Sequence, residues 1–293
     1  MFKRLYVGSM WKYLSLLGLL ITSLGLNDSL FANTFYAPKP NIVVTIKPLA
    51  LIAASLTGDD FSVATLLPPS ANPHALSLNI RERQSLADAD LVVWLGGGFE
   101  RFLIKPMAHH TKTQLELGSL PNLTWPVGRQ DDLHIWLSID NVKVILEALA
   151  PQLIALAPLK APIIRERLTQ ALLVLDQTHA QINLLLEPYR RHPFIVSHDG
   201  YSHFVSTYGL AQLAAASRLP EEQLSVRKMV ELKNLKEPSC LIAELNERAG
   251  ARLAHSLGVP LVIADPLGKA ESVNTIDKLL LGLARSFVQC LTQ

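Results

Sequence analysis

The chain predicts an α/β protein of two lobes, each a mostly parallel sheet flanked by helices, joined by one long rigid helix. Three observations carry this. Short apolar runs alternate with helical patterns from residue 41 to about residue 117. The same alternation resumes after Pro188. Between them lies a long stretch that is helical throughout. Strand–helix–strand order of this kind makes parallel sheets covered by helices.

In order, "NIVVTI" (41–46) reads as a buried strand, followed by the helical "PLALIAASLTG". "FSVATLL" (61–67) is a second strand, and the proline-rich loop "PPSANPHA" follows it. "IRERQSLADA" is a helix, "LVVWL" (91–95) a strand, "FERFLIKPMA" a helix and "TQLEL" (113–117) a strand. "DNVKVILEALAPQLIALA" then forms one amphipathic helix. Pro158 and Pro162 punctuate, and "IIRERLTQALLVLDQTHAQINLLLEP" continues. Leu168, Leu172, Leu175, Ile182 and Leu186 fall near one face at helical spacing. A helix of about 26 residues spans roughly 40 Å, a length that suits a strut between lobes, although an ordinary domain helix has the same periodicity. Beyond it come "FIVS" (194–197), the helical "HFVSTYGL", "AQLAAA", the helical "VRKMVELKNLK" and "CLIAEL" (240–245). "ERAGARLAHSLG" is a helix, "PLVIAD" (260–265) a strand and "VNTIDKLLLGLARSFVQCL" a terminal helix. The expected divisions are 1–32 signal peptide, 33–157 first lobe, 158–191 linking helix and 192–293 second lobe.

Residues 1–32 are set apart by Lys3, Arg4 and Lys12 ahead of an apolar stretch from Tyr13 to Leu26. That is the pattern of a secretory signal, short for a membrane span; a single membrane anchor is the alternative. The formal net charge is +2, so nothing electrostatic points to nucleic acid. Two cysteines, Cys240 and Cys290, in an exported chain predict a disulfide, with two unpaired core thiols as the alternative.

Four groups sit just beyond strand ends, where open α/β sheets present ligands. His74 lies in the loop after the 61–67 run, His134 in "DDLHIWLS", His198 directly after "FIVS" and Asp265 directly after "LVIA". Three imidazoles and a carboxylate make a closed tetrahedral set for Zn2+; imidazole also suits copper, iron and nickel. A lone loop His is more often an exposed or capping residue than a ligand, and Asp265 before Pro266 reads also as a cap or turn residue. Nothing poises a Glu behind a His as a zinc hydrolase requires.

Five segments in order then bring a family into view: "LLPPSANPHALSL", "LADADLVVWLGGGFE", "DDLHIWLS", "VSHDGYSHFVSTYGL" and "ADPLG". With them the chain, from about residue 41 to 290, resembles the solute-binding proteins of bacterial zinc and manganese ABC importers (cluster A-I, ZnuA-like). The resemblance implies two α/β lobes on one long helix. It also implies a metal held between the lobes by His74, His134, His198 and Asp265. Zinc-handling members carry His where His198 stands and manganese-handling members typically Glu, so it favours zinc. It further implies a monomeric, non-enzymatic periplasmic protein that delivers Zn2+ to a membrane permease, and a disulfide in the second lobe. A manganese or other transition-metal protein of the same family, a secreted zinc hydrolase and an adhesin-like role are the alternatives. Here "MAHHTKTQLELGSLPNLTWPVGRQ" holds only His109 and His110, where many zinc members have a long His- and acid-rich loop. Glu244 reads as a structural acid at a strand end. Asp199 reads as a helix cap or an acceptor orienting an imidazole. His203 stands where the family usually has an aromatic and reads as a packing or surface residue.

Overall fold

Eight strands among the described residues fall into two four-stranded sheets, and every pairing within them is parallel. The computed structural model describes residues 38–68, 71, 77–220, 222–245 and 248–293. The segment read as a signal peptide and His74 lie outside the described residues. Lys39–Gln293 form one compact unit.

The first sheet has the order β2-β1-β3-β4, from β1 (Asn41–Val44), β2 (Ser62–Thr65), β3 (Leu91–Trp94) and β4 (Thr113–Glu116). The central strand β3 is buried at every position, as parallel strands covered on both faces must be. Its helices are α1 (Lys47–Thr57), α2 (Ile80–Asp88) and α3 (Ile104–Ala108). Asn79 and Glu82 start α2 with a reciprocal capping box. The helix expected from "FERFLIKPMA" is shorter than its pattern. The Glu100 carboxylate turns back to accept the N–H groups of Leu95 (2.8 Å) and Gly96 (3.2 Å), so the chain must first close the tight Gly96–Glu100 turn. Gly96 makes this possible with φ 123°, a region that side-chain-bearing residues avoid.

Helix α4 (Ile139–Leu156) begins at Ser138, whose Oγ accepts the Asn141 N–H. The long helix α5 (Ala161–Leu186) follows, with 26 residues and a length of roughly 39 Å. It packs on α1 and α4 from the first half of the chain and on the last helix, α9 (Ile276–Leu291), from the second. Its inward residues Ile164, Leu175, Ile182 and Leu186 are fully buried. A helix gripped at several levels along its length behaves as a strut.

The second sheet has the order β6-β5-β7-β8, from β5 (Phe194–His198), β6 (Gln212–Ser217), β7 (Leu241–Glu244) and β8 (Leu261–Ala264). Helices α6 (Ser202–Tyr208), α7 (Val226–Lys233) and α8 (Arg248–Leu257) join its strands. Gly209 ends α6 in the left-handed region at φ 64°. Cys240, just before β7, is joined to Cys290 of α9 by a disulfide. The terminal helix is thereby fastened to the sheet. Among the described residues no helix is long and apolar enough to cross a membrane.

Candidate metal centre

The segment between β4 and α4 and the turn after β5 meet where both sheets end. His134 heads a short 3-10 turn, Ile135–Leu137, whose three residues are completely buried. That burial anchors the loop. Trp136 fixes it further by donating its indole N–H to the Pro266 carbonyl at 2.9 Å. The "HIWLS" segment therefore rests directly on the "DPLG" turn of the other half.

The His134 imidazole is held on three sides. Its Nδ1 lies 2.6 Å from Asp132 Oδ1, and its backbone N–H donates to the same oxygen at 3.1 Å. Phe99 meets the ring edge-on with centroids 5.1 Å apart, and Trp136 lies at 5.2 Å. Burial alone would raise the Asp132 carboxyl. The hydrogen bond to His134, the attraction of His134 and His203 and the His134 N–H outweigh it and hold the group at about 2. An ionised Asp132 fixes the proton on Nδ1 and leaves Nε2 as the nitrogen for a metal.

His198 is the last residue of β5 and is 1% exposed. A tight turn follows, closed by the Gly200 N–H on the His198 carbonyl at 3.0 Å. Gly200 is a close-approach position. A Cβ there would lie 2.4 Å from His198 Nε2 and 3.2 Å from His134 Nε2. The Nε2 atoms of both histidines thus converge on one backbone position. Their ring centroids are 5.9 Å apart. Two imidazoles on one tetrahedral zinc, with Zn–N near 2.05 Å, have centroids roughly 5 Å apart. The pair is within about an ångström of that arrangement.

The acids that end β7 and β8 take distinct places, and of these two only Glu244 contacts a histidine of the pair. Glu244, at the end of β7, has Oε1 3.3 Å from His198 Nε2 and Oε2 3.8 Å from Lys269 Nζ. Asp265 follows β8, and its two oxygens accept the N–H groups of Lys269 (2.8 Å) and Ala270 (2.9 Å). These bonds fix its rotamer within the turn that Trp136 contacts. Asp199, expected as a cap or an acid orienting an imidazole, does the latter for neither histidine. It points away from the His198 ring, pairs with Arg129 and accepts Ser202 Oγ at 3.1 Å. His198 ends strand β5, and successive side chains of an extended chain point to opposite sides. The acid that orients an imidazole is Asp132, and its signal was the Asp-x-His spacing. Among the described residues, no group of three His, Cys, Asp or Glu side chains closes a metal site by itself.

This architecture of two parallel sheets on a shared strut, with imidazoles converging at the sheet ends, is that of a metal-binding solute-binding protein. The chain belongs to the ZnuA family, zinc-uptake complex component A, periplasmic, whose model matches residues 42–290. It is 27% identical to the high-affinity zinc uptake system protein ZnuA of Yersinia pestis, over 89% of this chain and 94% of that protein. Its fold is similar to that of the periplasmic zinc-binding protein TroA from Treponema pallidum, with a TM-score of 0.77 at 18% identity, covering 86% of this chain and 99% of that one. A zinc-bound ZnuA deletion mutant gives a TM-score of 0.73 at 22% identity, covering 86% and 97%.

Proposed function

We propose that this chain captures Zn2+ in the periplasm and hands it to the membrane permease of an ABC importer. The observation that carries the reading is the convergence of His134 and His198 Nε2 over Gly200. His74, His134 and His198 supply neutral nitrogens and Asp265 the anionic oxygen. Asp265 suits this role because ligating carboxylates are themselves held by hydrogen bonds, as the N–H groups of Lys269 and Ala270 hold it. Glu244, shared between His198 and Lys269, acts as a charge partner beside the ion. Histidine at position 198, in place of a carboxylate, favours zinc over manganese, whose preferred ligands are oxygens. The chain works as a monomer by capture and release, without breaking a bond. Residues 33–157 and 192–293 are its lobes and 158–191 its linking helix.

Elemental analysis of protein purified without added metal tests the reading. Zinc near one equivalent supports it. Manganese in its place, or no transition metal after exposure to zinc, overturns it.

A further inference from the structure

His203 lies on α6, one turn after the His198 loop, yet its contacts are with the other half of the chain. It is 2% exposed. Its Nε2 lies 2.7 Å from the Asp132 carbonyl oxygen and its Nδ1 3.3 Å from Asn141 Nδ2. The ring of Trp125 lies 5.6 Å away.

Hydrogen-bond logic fixes the tautomer. Asn141 Oδ1 accepts the Thr124 N–H at 2.8 Å and its hydroxyl at 2.9 Å. The Asn141 amide nitrogen donates to the Thr124 carbonyl at 3.0 Å, so its remaining N–H faces His203. His203 Nδ1 is therefore an acceptor. Its Nε2 carries the proton and donates to the Asp132 carbonyl, which can only accept. Both ring nitrogens are satisfied with the ring neutral, and burial pulls the imidazole toward that form.

The bond is placed on the residue that matters. Asp132 holds His134 through its carboxylate, and His203 holds the Asp132 backbone. A continuous chain of contacts runs from α4 through Asn141, His203 and Asp132 to His134. Its middle member, His203, lies on α6, the helix that directly follows the His198 turn. We propose that His203 is a positioning residue: its Nε2–H bond to the Asp132 carbonyl sets the His134 loop against the His198 loop, so that zinc is retained only while both halves are clasped. The proposal rests on His134 and His198 binding zinc, as argued above.

Two substitutions separate the two nitrogens. His203→Gln places an amide near the Nε2 position and keeps a donor for Asp132. His203→Asn places its polar atoms near the Nδ1 position, keeps a partner for Asn141 and is too short to reach Asp132. Each loses one neutral hydrogen bond, so thermal melting of the apoproteins serves as the control for general destabilisation. The readout is the zinc dissociation rate, followed by stopped-flow chase with an excess of a chromogenic chelator. His203→Asn is expected to release zinc about fivefold faster than wild type, the loss of about one hydrogen bond. His203→Gln is expected to stay within about twofold, with similar melting shifts in both variants. Equal release rates in the two variants, or faster release from His203→Gln, overturn the proposal. Wild-type protein that takes up no zinc overturns the functional reading instead.

Discussion

Asp132 Oδ1 lies 2.6 Å from His134 Nδ1 and accepts the His134 backbone N–H at 3.1 Å as well. One oxygen therefore sets both the tautomer and the rotation of the imidazole. Asp132→Ala should lower zinc affinity about 10- to 100-fold, the usual cost of removing a carboxylate behind a ligating histidine. Asp132→Asn keeps an acceptor and should cost less. Competition with a fluorescent zinc chelator checks this. Unchanged affinity in Asp132→Ala contradicts the assigned geometry.

Gly200 is where the two imidazoles come closest to the backbone. Gly200→Ala would put a methyl 2.4 Å from His198 Nε2, so the buried ring must move. Zinc affinity should drop severalfold and the apoprotein should melt lower, since displacing a buried ring costs about 1–3 kcal/mol. The same titration reads the first effect and thermal melting the second. A variant that binds as tightly as wild type means that the rings do not meet at this position.

The buried Glu100 carboxyl is pushed up by burial to about 7 from the ordinary 4.5. Below about pH 4.5 it is protonated whether the chain is folded or not. Between 4.5 and 7 only the folded chain keeps the proton. The favourable contribution is therefore present at low pH and is lost as pH rises through 7. Glu100→Gln removes that loss. Relative to wild type the variant should gain stability between pH 5 and pH 8, on the order of 2 kcal/mol. Urea unfolding of both apoproteins at the two pH values measures it. A variant-minus-wild-type difference equal at both values contradicts the buried ionisation.

Cys240 and Cys290 close a loop with a sequence separation of 50. In the chain-entropy model such a bridge contributes about 4 kcal/mol. Thiol titration of denatured, unreduced protein should find no free thiol. Cys290→Ser should lower the urea midpoint strongly. Two free thiols, or a variant as stable as wild type, rules out the bridge.

The sheets were legible in the sequence because their central strands are built on short runs of buried apolar residues. "NIVV", "LVVW", "FIVSH" and "LIAE" stand out without any tertiary knowledge. The ends were less so: "FSVATLL" yields only Ser62–Thr65 as strand. His134 and His198 were legible as candidates because they follow strand ends or precede a helix start. His203 was not. Its partners Asp132 and Asn141 lie 71 and 62 residues away in the chain, and no local pattern encodes such a distance. Asp199 misled for a related reason. Adjacent to His198 in sequence, it faces the other way and meets Arg129, which lies 70 residues away in the chain. Side-chain direction at a tight turn depends on backbone angles that residue type alone leaves open.

Calorimetric titration of the metal-free protein with zinc tests the central claim most directly, run on wild type and on His134→Ala and His198→Ala. One tight site per chain is expected in wild type, with affinity at least tenfold weaker in each variant. Two or more comparably tight sites in wild type, or variants that bind as wild type does, would contradict a single zinc held between these two histidines.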